Sequence, residues 1–148
     1  MNFWEELAVA SIPAILLYFL GRWQTNRQLK EQLVAADSAS IIDKIENIEA
    51  SAINFFSQTL DDSIGTQLAQ SLNAQIGNVG RRVTALKKVD ARNRADLDYC
   101  MMQLRRSITD GDFSAADRVA SPRSSPRYSR MRCAVREFTT VLEKVRPN

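Results

Sequence analysis

Apolar residues recur along most of this chain at helical spacing. Ile41, Ile45, Ile48, Ala52 and Phe55 are separated by four, three, four and three residues, the recurrence of one buried helix face. Ile42, Ile53, Phe56 and Leu60 fall beside that face at about 100° per residue and widen it, while Glu49 falls on its edge and needs water or a partner. A second helix carries Ile64, Leu68, Leu72, Ile76, Val79, Val83 and Leu86, with Asp61 and Asp62 suited to its start, where backbone amides favour carboxylates. Gly77 and Gly80 interrupt its interior and predict either close packing against a neighbouring helix or a bend near Asn78; close packing is the preferred reading. Leu97, Met101, Leu104 and Ile108 mark a third helix, stopped by the turn chemistry of Asp110-Gly111. Tyr128, Met131, Val135, Phe138, Leu142 and Val145 mark a last one, in a heptad pattern that suits a coiled-coil seam within the bundle or against a second copy. No segment alternates with period two, so no sheet is predicted.

The N-terminal stretch departs from this periodicity. From Leu7 to Leu20 fourteen residues carry no charge, a length between a core helix and a membrane helix. Trp4 and Trp23 flank it, about 28 Å apart along a helix at a rise of about 1.5 Å per residue, which matches two membrane interfaces. Glu5 and Glu6 precede the run, and Arg22, Arg27 and Lys30 follow it. The positive-inside bias then sets the N-terminus outside and the rest in the cytoplasm. An acidic start and the polar GRWQTNR after the run argue against a cleaved signal peptide. Pro13 is tolerated in a membrane helix as a kink. The expected anchor is therefore built from Trp4, Leu7, Pro13, Leu20 and Trp23, in the inner membrane. Ala10 and Ala14 form a small-xxx-small pair that would let two spans approach. The alternatives are a segment that perturbs the membrane and a core helix of a soluble protein.

The predicted architecture is all-α. Residues 1–23 form a transmembrane helix, 24–40 a helical neck, and 41–148 a cytoplasmic bundle of about four helices with a mobile loop at 118–127. Ser40 followed by Asp43 reads as a capping box for a new helix, with a helix continuous from the neck as the alternative.

Composition narrows the chemistry. The chain has 148 residues, with 20 basic and 17 acidic residues giving a net charge of +3, too small to imply nucleic acid by itself. It has no histidine, which removes imidazole acid/base chemistry and imidazole metal sites. Cys100 and Cys133 lack CxxC spacing, and a cytoplasmic location favours free thiols. No nucleophile, glycine-rich phosphate loop or metal motif accompanies the adjacent Asp61 and Asp62. We therefore expect no enzyme, no catalytic or metal residues and no cofactor.

The most distinctive polar feature is the arginine concentration at Arg118, Arg123, Arg127, Arg130, Arg132 and Arg136, on a proline-serine loop and the helix after it. Such cations suit the phosphates of lipid headgroups or of a nucleic acid or nucleotide, meet a protein partner, or form a solvated surface. A second basic set, Arg81, Arg82, Lys87, Lys88, Arg92 and Arg94, is diluted by Asp90, Asp96 and Asp98 and reads as a solvated face. Aromatics do not interleave with it, so a stacking platform for nucleic acid is not favoured. Cys133 falls away from its helix's apolar stripe and is expected at the surface.

No family motif is matched. A single span with a small helical domain resembles, in architecture alone, small bacterial membrane effectors of anti-phage defence and toxin systems. The expected function is a single-pass, membrane-anchored interaction or effector protein. Its bundle binds a protein, lipid or anionic ligand, and it acts on the membrane by self-association. The competing expectation is a scaffold subunit of a larger membrane complex.

Overall fold

The computed structural model describes residues 3–59, 61–111, 113 and 119–145, with the side chains of 3–14 and 62 outside the description. Four helices follow in order: α1 (Phe3–Ser57), α2 (Asp62–Val89), α3 (Arg94–Thr109) and α4 (Pro126–Glu143). Among the described residues there is no strand, as the absence of period-two patterning predicts.

Two compact units divide the chain, Met1–Leu33 and Val34–Asn148. In the first, helical geometry is supported by neighbours one turn apart. The Thr25 hydroxyl donates to the Gly21 carbonyl at 2.9 Å, Arg27 pairs with Glu31 at 3.3 Å, and the Arg27 guanidinium lies 5.7 Å from the Trp23 ring centre. Ile15, Leu16, Leu17, Tyr18, Phe19, Leu20 and Trp23 are all exposed. The span expected over 1–23 is not met on the described residues, among which no helix is long and apolar enough to cross a membrane. The reason is length. The uncharged run from Leu7 to Leu20 is fourteen residues, ending before Gly21 and Arg22, against the roughly 20 residues a span needs. Trp4, Leu7 and Pro13 lie outside the residues whose side chains are described.

The second unit holds the core. The break expected near Ser40 is absent, because α1 runs through residues 37–40 and its buried seam begins earlier than the isoleucines. Val34, Ser38, Ile41, Ile45, Ile48, Ala52 and Phe55 are all buried and repeat at four and three. The Ser38 hydroxyl is the one polar group in that seam, and it has no hydrogen-bond partner among the described residues. Opposite, Leu72, Ile76, Val79, Val83 and Leu86 bury the inner face of α2. Ser40 accepts a bond from Arg82 at 2.9 Å, while Ile48 and Gln75 line one hollow, so α1 and α2 run antiparallel. Leu97, Cys100, Leu104 and Ile108 of α3 and Tyr128, Met131, Val135, Phe138 and Leu142 of α4 complete the core. Lys87 of α2 pairs with Asp98 of α3, and Arg132 of α4 lies beside Glu49 of α1.

The α2–α3 corner is set by Asp90. Its buried carboxylate accepts from the Arg92 and Asn93 amides at 3.0 and 3.3 Å and from the Asn93 side-chain amide at 2.7 Å. These bonds close the turn that leads into α3. At the other end Phe55, Phe56 and Phe113 form a cluster, with ring centres 5.0 Å apart for Phe55–Phe56 and 5.4 Å for Phe55–Phe113.

The glycines of α2 fit neither reading of the sequence. The helix is unbroken through both, so there is no bend. A Cβ at Gly77 would meet nothing within 4 Å, and one at Gly80 would meet only Met101 Cε at 3.6 Å, an ordinary contact. Close packing does not require them. Gly77→Ala is therefore expected to stabilise the bundle by up to about 1 kcal/mol through helix propensity, read as a higher thermal midpoint. An unchanged or lower midpoint would show that Gly77 answers to something other than the helix.

Candidate functional site

The stretch expected to be a mobile loop is pinned at Ser121. The Ser121 amide donates to the Phe56 carbonyl at 2.8 Å, and the Tyr128 hydroxyl donates to the Ser121 carbonyl at 3.2 Å. The Ser125 amide closes a turn onto the Pro122 carbonyl at 2.8 Å. Ser125 is then the N-cap of α4, its hydroxyl accepting from the Arg127 amide at 3.4 Å, and Pro126 opens the helix, where a missing N–H costs nothing.

This start fixes which way α4 faces. With Tyr128, Met131, Val135 and Phe138 in the core, Ser129, Arg132, Cys133 and Arg136 share a neighbouring face at spacings of three, one and three. Across from them stand Ile53 and Ser57, one turn apart on α1. Together with the turn at 123–126 these residues line a groove of about 780 Å³. Arg123, Arg132 and Arg136 bring three guanidinium groups to it, and Ser124, Ser125, Ser129 and Ser57 bring hydroxyls. Ile53, Pro126 and the Tyr128 ring supply an apolar side.

The six arginines expected as a unit do different things. Arg123, Arg132 and Arg136 line the groove. Arg127 does not: its guanidinium lies 4.1 Å from the Phe56 ring centre and donates to the Asp110 carbonyl at 3.3 Å, which makes it part of the aromatic end of the core. Arg130 is exposed on α4 and is not among the groove residues. Arg118 lies outside the described residues. The carboxylate facing the groove's cations is Glu49, whose Oε1 is 3.8 Å from Arg132 Nε. Arg132 is 69% exposed and Glu49 21%, so this long pair is well screened and holds Arg132 only loosely. Arg123 and Arg136 make no ion pair with a described residue. The partner that the seam-edge position of Glu49 called for is thus a groove arginine, which spacing along one helix does not reveal.

The second basic set divides, with Arg81, Lys88 and Arg92 exposed as a solvated face would be and the other three engaged within the bundle. Arg82 donates to Ser40, Lys87 pairs with Asp98, and Arg94 donates to the Lys87 carbonyl at 3.4 Å. A smaller hollow of about 270 Å³ between α1 and α2 is lined by Lys44, Asn47, Ile48, Ser51, Gln75 and Asn78, with a single cation.

Both thiols are free. Burial raises the Cys100 thiol above its ordinary pKa of 9.0, with Glu137 and then Asp96 adding to the rise. A thiol held protonated is a poor nucleophile. Cys133 is exposed and lines the groove. A native-state alkylation at neutral pH is expected to label Cys133 rapidly and Cys100 only after denaturant is added, as mass spectrometry of the digest would show. Equal labelling rates would mean that the α3–α4 contact opens readily. Because Cys100 is neutral in the fold, its contribution to stability is present below pH about 9 and is lost as pH rises toward and through its raised pKa.

Among the described residues no group of three His, Cys, Asp or Glu side chains gathers as metal ligands would. No family model matches the chain, and no curated protein or solved structure is significantly similar to it.

Proposed function

We propose that this protein is a membrane-anchored helical interaction protein, held by its N-terminal segment in the inner membrane with the bundle in the cytoplasm, where the groove takes an anionic ligand. The observation that carries the anchoring is the run from Ile15 to Leu20 with Trp23, every side chain of which is exposed, Leu17 by as much as 70%. Consecutive residues of a helix point to all of its sides, so no single packed partner helix covers them, whereas hydrocarbon does. In sequence the run extends back without a charge to Leu7, and Glu5 and Glu6 on one side and Arg22, Arg27 and Lys30 on the other give it a direction. A segment this short is relieved of mismatch by bilayer thinning or by self-association, which supports an effector that assembles in the membrane.

The test is fractionation of the tagged full chain. Recovery in the membrane pellet after both high-salt and alkaline carbonate washes is expected. Release by salt alone would reduce the attachment to electrostatics, and a chain found in the supernatant throughout would end the reading.

A further inference from the structure

We propose that the groove between α1 and α4 binds an organic phosphate, with Arg123, Arg132 and Arg136 holding the phosphates and Ile53, Pro126 and the Tyr128 ring receiving the rest of the ligand. This deepens the reading of the bundle as a binder of anions and does not depend on the anchoring of the N-terminal segment.

Three features select this chemistry. The cations share one groove: three arginines, from a turn and two successive turns of α4, line it, and among described residues only Arg132 has a carboxylate beside it, Glu49 at 3.8 Å. Guanidinium forks suit phosphate oxygens in bidentate geometry, and the hydroxyls of Ser124 and Ser129 add donors beside them. The volume, about 780 Å³, is far larger than inorganic phosphate requires and falls in the range of sites for nucleotide-sized molecules. Its apolar side has no use for a bare anion. The arrangement also disfavours a nucleic acid track, because a polymer backbone needs a continuous row of cations. Here Arg127 is turned onto Phe56 and Arg130 lies outside the groove, which breaks the row.

The site carries its own competitor. The Glu49 carboxylate attracts Arg132, though loosely, and repels an incoming phosphate, so it competes with the ligand for Arg132. This predicts a gain on mutation, which a merely misfolded variant does not give.

The experiment uses the full chain in a neutral detergent at low salt, which needs no membrane insertion, with adenosine triphosphate and inorganic pyrophosphate as probes. Binding is read by calorimetry and by protection of Cys133 from alkylation. Saturable binding of adenosine triphosphate is expected, tighter than that of pyrophosphate and weakened by added salt, with Cys133 protected in proportion. Glu49→Gln should tighten it by about threefold or more, and Arg132→Gln with Arg136→Gln should weaken it about tenfold or more, the loss expected when charge-assisted bonds are removed. A parallel arm with anionic phospholipid added to the detergent distinguishes the sources. Protection of Cys133 there without added nucleotide assigns the phosphate to a lipid headgroup, and protection by nucleotide alone assigns it to a free small molecule. No binding of either probe and no lipid protection would overturn the proposal, as would a Glu49→Gln variant that binds no better. Stronger protection by a short duplex DNA than by the nucleotide would overturn it in favour of nucleic acid. None of these readouts depends on the carbonate wash, so failure of the groove and failure of the anchor are separately visible.

Discussion

Replacing Leu17 and Phe19 together by lysine is expected to abolish stable membrane attachment. Exchanging a large apolar side chain for lysine costs about 3 kcal/mol at the centre of a span and less toward its end, where Leu17 and Phe19 lie, so the pair costs about 3–4 kcal/mol, a factor of about 10²–10³ in partition. Both side chains are more than half exposed, 70% for Leu17 and 63% for Phe19, and both lie in the unit Met1–Leu33, so the core of the other unit keeps all of its contacts. The circular dichroism of the variant should therefore match that of the parent while its carbonate-resistant pellet disappears. A variant that still pellets after the wash would show that these side chains do not face lipid.

The second large effect belongs to the core. Phe138 is fully buried on α4, in line with Val135 and Leu142, within the one contiguous cluster to which all four helices contribute. Phe138→Ala removes a ring and leaves a cavity within that cluster. The expected loss is about 3–5 kcal/mol, a large share of the 5–15 kcal/mol typical of a domain. Denaturation of the full chain should show a lower urea midpoint with an unchanged slope, and Phe138→Leu should recover part of it. A loss below about 1 kcal/mol would mean that α4 lies against the bundle without closing it.

The helices themselves were legible because burial imposes a period. Ile41 to Phe55 and Tyr128 to Val145 repeat at three and four, and these are the seams found buried. What escaped were features that depend on a neighbour. The seam of α1 begins at Val34 and passes through Ser38, and a serine at a core position reads from sequence as a polar interruption or a cap. Asp90 looked like dilution of a basic face, yet it is buried and organises the α2–α3 corner, because its value lies in backbone amides that no pattern displays. The arginines were legible as a concentration and illegible as a site. Which of them line the groove is decided by Ser121 tying the turn to Phe56 and by Ile53 and Ser57 forming the far wall. In sequence Arg127 is indistinguishable from the others, but an aromatic ring within reach across the fold gives its charge another use.

The small residues of the α1 seam have a consequence for alignment. Ser38, Ile45 and Ala52 occupy one heptad position in three successive repeats, so side-chain volume along that row goes small, large, small. A plain repeat of isoleucine would let α1 slide by seven residues against its neighbours and bury nearly the same surface. Here such a slide would drive Ile45 into a space shaped for Ser38 or Ala52, which overfills it. Ala52→Leu is accordingly expected to cost about 1–3 kcal/mol despite added apolar area, seen as a lower thermal midpoint. If the midpoint rises instead, the row has slack. Otherwise the small side chain of Ser38 belongs to a ruler: smallness at two places tells the helix where along its partners to stop.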